Sequence, residues 1–339
     1  MATAVADRTW RESSPETIEA DLAALWIDLA REAPVVRALM ANLVIFRERP
    51  AAQHIDLSAP IDDVPVDEVG RLHPSRMILL HHARGAPEAR SPIAAAIGAL
   101  TFGPPHARYG VEQIAVRSTC AEASLPSIVR RLTLGDLPTS LWWAEDLSQA
   151  APLAVLVAMA RQLVYDSRRW HGVREGVMAL VPLLAGEHEP DLVDLNWRRL
   201  TPMRQAILHA VSSAGPAADT RLAGGRIRHR PGDEALAWLL AGWLSSRLES
   251  TSDPRAPIVV DESPGGDDIL TLSFTDASIT ATMREHRVIV SSGADVAPFV
   301  VTAPRETEAD AVASELRSLT HDVCLRDTIL ALSRRFSGG

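Results

Sequence analysis

Short apolar runs alternate with helical patterns along residues 123–211, and this alternation restricts the possible folds more than any other feature of the sequence. The order is helix 123–134, strand 139–143, helix 151–162, strand 163–167 and helix 171–184. Such alternation predicts parallel strands joined by right-handed crossovers, with helices on the faces of the sheet. A further helix is expected from Thr201, with Pro202 in its first turn, to about residue 211.

The residues before this stretch extend the same kind of fold. Apolar residues with helical spacing predict an amphipathic helix over 16–32, and apolar runs predict strands at 41–46, 76–82 and 111–118. The expected fold class is therefore α/β, with an N-terminal, mostly parallel sheet and flanking helices over residues 1–211.

The pattern changes in the segment SSAGPAADT, residues 212–220, which we predict to be a linker. A strand pattern at 225–230 and a helix pattern at 233–250 follow. Five strand patterns between residues 256 and 304, joined by turns such as PGGDD, indicate an antiparallel meander. With a last helix at 306–332, residues 221–339 are expected to form a smaller α+β domain.

The composition excludes several classes of protein. The net charge is −9, whereas a general nucleic-acid binder needs a basic surface, so we expect no nucleic-acid partner. All 34 basic residues are arginine. A chain without lysine has no Schiff-base lysine, no P-loop lysine and no Ser-Lys nucleophile pair.

No motif indicates a metal ion, a cofactor or a membrane. The patterns of dinucleotide, P-loop, hydrolase and zinc-protease sites are absent. Cys120 and Cys324 lie far apart in the sequence, and His81 and His82 would point to opposite faces of a strand. No apolar run is long enough to cross a bilayer, and the first residues do not resemble a signal peptide. We therefore expect a cytoplasmic protein.

Trp142 and Trp143 end the predicted strand 139–143. Neighbouring side chains on a strand point to opposite faces, so the two rings cannot share one environment. One interpretation is a strand covered on both faces. The other is that one ring lies near the carboxyl end of the strand, where a ligand or a partner docks.

The stretch YDSRRW (165–170) follows a strand and is expected to open a helix. Ser167 would cap this helix, and Arg168 and Arg169 would join its N-terminal amides in holding a phosphate. The alternative is a capped helix with solvated arginines.

The stretch NWRRLTPMR (196–204) concentrates Trp and Arg, the residue types that are enriched at interface hot spots. Trp197, Arg198, Arg199 and Arg204 are therefore candidates for docking a partner. The alternative is that Trp197 is a core anchor and that the arginines pair with acidic residues of the same chain.

Five phrases in a fixed order resemble the OpcA family, the glucose-6-phosphate dehydrogenase assembly proteins. They are HPSRMILL (73–80), RLTLGDLPTSLWW (131–143), LVYDSRRW (163–170), DLVDLNWRRLTPMRQAI (191–207) and LAWLLAGWLSSRL (236–248). Two features depart from the family pattern: the segment before HPSR is short, and Met203 stands where an aromatic residue is expected.

The resemblance implies a partner protein without catalytic activity. It would bind glucose-6-phosphate dehydrogenase in the oxidative pentose phosphate pathway and act as an assembly factor or allosteric activator, with no cofactor of its own. A second hypothesis from the residues is a phosphosugar or nucleotide sensor, or a weak enzyme, that uses the turn at 165–169 as an anion site.

Overall fold

The computed structural model describes residues 7–49, 57, 64–83, 93–104, 107–186, 189–213, 224–248, 258–263, 265–274, 279–292 and 297–338. The helices are α1 (Ile18–Glu32), α2 (Val66–Leu72), α3 (Leu125–Leu132), α4 (Ala154–Val157), α5 (Val173–Leu184), α6 (Leu195–Arg199), α7 (Thr201–Ser213), α8 (Glu234–Leu248), α9 (Glu308–Ser318) and α10 (Val323–Ser337). None of the helices in these ranges is both long and apolar enough to cross a membrane.

Two sheets organise the described residues. The strands of the first are β1 (Asp7–Ser13), β2 (Val35–Arg37), β3 (Ala41–Glu48), β4 (Ser75–His82), β5 (Ile93–Phe102), β6 (Arg108–Ser118), β7 (Thr139–Trp143), β8 (Gln162–Tyr165) and β9 (Asp191–Asp194). Those of the second are β10 (Gly225–His229), β11 (Ile258–Glu262), β12 (Leu270–Phe274), β13 (Ile279–Arg284), β14 (Arg287–Ser292) and β15 (Phe299–Thr302).

The first sheet is mostly parallel, as the sequence predicts. Its order is β1-β5-β6-β4-β3-β7-β8-β9, and β2 pairs with the start of β6. Only the pairs β1–β5 and β5–β6 are antiparallel. The sequence patterns did not reveal β1, β2, β5 or β9, and they predicted a helix over 151–162 of which only α4 forms.

Helices cover both faces of the first sheet, and alternate residues of its central strand point into two different apolar cores. Val44 and Phe46 of β3 point into a core that includes residues of α1, α3 and α5. Leu43 and Ile45 point into the other core, which includes residues of α2 and of α9 from the C-terminal part of the chain. The parallel strands are therefore buried on both faces.

The second sheet has the order β11-β10-β12-β13-β14-β15. The last four strands form an antiparallel meander as predicted, but the first of the five predicted strands, β11, pairs in parallel with β10 and is not part of it. Helices α7 and α8 pack against this sheet. The predicted helix over 306–332 is wrong as one element, because Leu319 adopts a left-handed conformation (φ 43°) and separates α9 from α10. Of the predicted linker, residues 212 and 213 end α7, and residues 214–220 lie outside the described ranges.

A buried ion pair joins the layers at the first sheet. The Arg76 Nε atom of β4 lies 2.8 Å from the Glu112 Oε2 atom of β6, and both side chains are about 1% exposed. Arg76 also donates to the carbonyl oxygen of Leu132 in α3 and to the Glu19 carboxylate in α1. The indole N–H of Trp26 in α1 donates to Glu112 at 2.8 Å. These contacts connect two strands with two helices of the same face.

Removing one partner of this ion pair is expected to destabilise the fold strongly. Glu112→Gln removes the buried carboxylate and leaves the Arg76 charge with only the exposed carboxylate of Glu19, which should lower the free energy of unfolding by about 3–5 kcal/mol. Glu68→Gln is the matched control, because its ion pair with Arg71 within α2 is exposed and should change stability by less than about 1 kcal/mol. Urea denaturation measures both, and equal losses would contradict the prediction.

Candidate functional site

Trp142 and Trp143 are both buried, with 1% of each residue exposed. The Trp143 ring stacks on Phe46 at 4.0 Å between centroids, and its indole N–H donates to the carbonyl oxygen of Ala150. Trp142 packs in the core on the opposite face, beside Ile45. The rings point to opposite faces, as strand geometry predicts. The expectation that one of them reaches a surface is wrong, because helices cover both faces.

The turn after β8 differs from the predicted helix start. Asp166, not Ser167, caps a single 3₁₀ turn, and α5 begins only at Val173 behind Gly172. The Ser167 backbone N–H donates to the Asp194 Oδ1 atom at 3.0 Å, and the Ser167 hydroxyl accepts a bond from Asn196. A carboxylate of the same chain therefore occupies the position that a bound phosphate would need.

The two arginines of this turn are also engaged by carboxylates. The Arg168 Nε atom donates to the Asp166 Oδ2 atom at 2.8 Å. Arg169 forms an ion pair of 2.9 Å with Glu308 in α9. The donors of the turn therefore already have partners within the protein, and the anion site at Ser167, Arg168 and Arg169 stays a prediction.

The Trp- and Arg-rich stretch is an internal contact between the two parts of the chain. Trp197 is 3% exposed, and its indole N–H donates to the Asp322 Oδ2 atom at 2.7 Å. The Arg204 guanidinium stacks on the Trp197 ring, 3.7 Å from its centroid. The interpretation of Trp197 as a core anchor is the one that the structure supports.

Two further arginines of this stretch bridge to later elements. Arg198 forms ion pairs with Glu306, at 2.9 Å, and with Glu315 of α9. Arg199 lies 3.2 Å from the Asp233 Oδ1 atom, just before α8. Arg198 and Arg199 thus hold C-terminal elements against the end of the first sheet, and Arg204 packs on Trp197. The docking role of these arginines stays a prediction.

A cleft of about 640 Å³ opens between these elements. Residues 192–205, at the carboxyl end of β9 and in α6 and α7, line one side, and residues 302–325 line the other. The cleft lies at the carboxyl end of a parallel strand, where α/β sheets commonly bind ligands. It is the candidate functional site.

Asp194 lies at the base of this cleft and is 1% exposed. Its Oδ1 atom accepts bonds from the backbone N–H groups of Ser167 and Asn196, and its Oδ2 atom has no partner among the described residues. Burial, together with the charge of Asp166, raises the pKa of Asp194 to about 7. Sequence reasoning missed Asp194, although the run DLVD ends in it, because the short strand β9 was not recognised.

No group of three or more His, Cys, Asp or Glu side chains could hold a metal ion within the part of the chain that the structure describes.

The fold and the cleft define a two-sheet α/β protein in which C-terminal elements close over the strand ends of the first sheet. Two family models match this chain. The glucose-6-phosphate dehydrogenase subunit N-terminal domain matches residues 66–180, and the C-terminal domain of the same subunit matches residues 190–329. The chain belongs to the OpcA family.

Two relatives carry the name "Putative OxPP cycle protein OpcA". The one from Nostoc punctiforme is 27% identical over 211 residues, which are 61% of this chain and 44% of the relative. The one from Synechocystis is 26% identical over 171 residues, which are 48% of this chain and 34% of the relative. The matched parts therefore span less than half the length of either relative.

Similarity to solved structures is low. A dehydrogenase from Clostridium difficile has a TM-score of 0.36 and 8% identity, with 59% of this chain and 77% of that chain covered. A 3-ketoreductase from Actinomadura kijaniata has a TM-score of 0.42 and 7% identity, with 89% and 96% covered. At these scores the similarity indicates neither a shared activity nor a shared ligand.

The burial of Trp143 predicts a stabilising role. Trp143→Ala removes the ring that stacks on Phe46 and should lower the free energy of unfolding by about 3–5 kcal/mol. Trp238→Ala, at a half-buried position of α8, should lower it by clearly less. Chemical denaturation compares the two variants, and a small loss for Trp143→Ala would show that the ring is not a core anchor.

The raised pKa of Asp194 predicts a pH dependence of stability. The pKa of Asp is about 3.9 in an unfolded chain and about 7 for Asp194 in the folded protein. At pH values between these two, Asp194 keeps a proton in the folded protein that the unfolded chain releases. The resulting contribution to the free energy of unfolding is complete below the unfolded pKa and is lost as pH rises through about 7. Wild type should therefore lose on the order of 2 kcal/mol more than Asp194→Asn between pH 5 and pH 8.

Denaturation at several pH values measures this difference. Asp261→Asn, at a half-exposed carboxylate, is the matched control for the substitution itself and should change stability by less than about 1 kcal/mol. Parallel profiles for wild type and Asp194→Asn would contradict a raised pKa for this group.

Proposed function

We propose that the chain binds glucose-6-phosphate dehydrogenase and acts through this contact, as an assembly factor or an allosteric activator, without catalysing a reaction itself. One observation carries the proposal: the matches over 66–180 and 190–329 are both to domains described as parts of a glucose-6-phosphate dehydrogenase subunit. The names of the two relatives, which refer to the OxPP cycle, support the same role.

The docking surface that we propose is the face of the second sheet opposite α7 and α8. Buried residues such as Leu272, Ala281 and Val290 point toward the helices, and the alternate residues are exposed or half-buried. We name these alternate residues the open face. It includes Arg226, Arg228, Thr271, Ser273, Thr280, Thr282, Arg284, Arg287, Ile289, Val300 and Thr302.

The charge of the open face suits an acidic partner surface. Asp261 and Asp268 balance only two of its four arginines, through ion pairs with Arg226 and Arg284. Arg228 and Arg287 are exposed and have no ion pair with a described residue. The face is thus positive on a chain whose net charge is −9. Complementary charge would favour the encounter with an acidic surface of the dehydrogenase and fix its orientation.

Activation sets a further physical requirement. A partner can raise the activity of the dehydrogenase only if it binds the active or assembled state more tightly than the other state. Typical couplings of this kind amount to about 1–3 kcal/mol, or roughly 5- to 150-fold in an equilibrium. A measurable change in dehydrogenase kinetics or oligomeric state is therefore expected.

The experiment mixes the purified full chain with the glucose-6-phosphate dehydrogenase of the same organism. Size-exclusion chromatography should show a complex, and dehydrogenase assays should show a change in activity or oligomeric state. The chain alone should show no dehydrogenase activity. Absence of a complex together with unchanged kinetics would refute the proposed function.

Charge reversal tests the docking surface. Arg228→Glu and Arg287→Glu should each weaken the complex by about tenfold, and more at low salt, because they place like charges against the acidic partner. Arg174→Glu is the matched control, since Arg174 is exposed on α5, away from the open face. If all three variants bind like wild type, the dehydrogenase uses another surface.

A further inference from the structure

The cleft beside Asp194 has the dimensions of a small-molecule site. Its volume of about 640 Å³ falls within the usual range of ligand pockets, about 300–1,000 Å³. Arginines and carboxylates from both parts of the chain line it. Most of these groups pair with one another, but two buried groups do not.

The first is a buried acceptor. The Asp194 Oδ2 atom is inaccessible to solvent and lacks a hydrogen-bond partner among the described residues, while Oδ1 of the same carboxylate accepts two backbone N–H groups. A buried polar atom without a partner is unfavourable by about 1–3 kcal/mol, and such atoms are rare in folded proteins. A hydroxyl or an N–H group of a ligand would satisfy it.

The second is a cation without an ion pair. Arg204 is half-buried and forms no ion pair with a described residue, and Asp322, the carboxylate that acts on its charge, already accepts the indole N–H of Trp197. Its Nε atom is buried without a partner, and burial lowers its pKa. Stacking on Trp197 and a hydrogen bond to Thr201 fix the position of the planar group. A fixed guanidinium that forms no ion pair is suited to bind a phosphate or a carboxylate.

We propose that this cleft binds a small anion that also carries hydroxyl groups, of the sugar-phosphate class. The anionic group would pair with Arg204 and with Arg305, an exposed cleft residue that has no ion pair with a described residue. A hydroxyl group, which can both donate and accept, would form a hydrogen bond with the Asp194 Oδ2 atom. A plain anion would satisfy only the arginines, and a neutral sugar would satisfy only the carboxylate.

The position of the cleft gives such a ligand a regulatory role. Residues on both sides would contact it, so binding would stabilise the C-terminal elements against the first sheet. Thr302 both lines the cleft and belongs to the open face, so the ligand would lie next to the proposed docking surface. This regulatory role rests on the proposed function. The choice of probes rests on it as well, because they are the sugar phosphates that a glucose-6-phosphate dehydrogenase uses or makes.

Isothermal titration of the full chain, without the dehydrogenase, tests the site. Glucose 6-phosphate or 6-phosphogluconate should bind saturably, and glucose and inorganic phosphate should each bind at least roughly tenfold more weakly, since each lacks one of the two groups. Absence of binding for both sugar phosphates at millimolar concentration would overturn the proposal. Inorganic phosphate that binds as tightly as the sugar phosphates would also overturn it.

Variants assign the binding to the cleft. Asp194→Asn and Arg204→Gln should weaken sugar-phosphate binding by roughly tenfold or more, whereas Arg228→Gln on the open face should leave it unchanged. If either cleft variant unfolds, Arg305→Gln replaces it, because Arg305 is exposed and makes no core contact. Wild-type affinity in the folded cleft variants would overturn the assignment. The titration does not contain the dehydrogenase. If no sugar phosphate binds, the proposed function is therefore still tested separately, by the formation of a complex with the dehydrogenase.

Discussion

The ion pair between Arg76 and Glu112 is the interaction on which the N-terminal sheet depends. Two charges that are removed from water must satisfy each other and their remaining donors and acceptors, and here the partners come from α1, α3 and two strands. A small change in the position of any of these elements would leave a charge buried without a partner. The network therefore determines the register of β4 against β6 and the positions of both helices, while the apolar cores supply the bulk of the stability.

The second constraint is that the N-terminal and C-terminal parts of the chain share an apolar core. α9 belongs to the C-terminal part, yet its residues Ala309 and Val312 lie in a core of the first sheet. Arg169 and Arg198 bind carboxylates that surround the same helix. Trp197, Arg198 and Arg199, which first suggest a docking patch, thus hold the molecule together, and the docking surface that we propose is instead the open face of the second sheet.

The sequence predicts the elements whose signals are local. Apolar runs predict the central strands, and strand geometry alone predicts that Trp142 and Trp143 point to opposite faces. What covers those faces could not be predicted, because α9 is distant in sequence and its packing against the first sheet leaves no local signal. Asp194 was missed for a related reason. In the sequence, a carboxylate at the end of a short strand cannot be told from a solvent-exposed residue, and only the folded turn at Ser167 shows that it is buried. The left-handed conformation of Leu319 likewise has no signature, since leucine rarely adopts it.

The return of α9 to the first sheet also determines an order of events during synthesis. Residues 41–194 leave the ribosome long before residues 308–318, so β3, β4 and β7 assemble while part of one face still lacks its cover. Until α9 emerges, Trp142 and its apolar neighbours on that face are less completely covered and can contact chaperones and other nascent chains. The synthesis of α9 thus covers an exposed apolar face, and the cleft first exists once residues on both of its sides have been made.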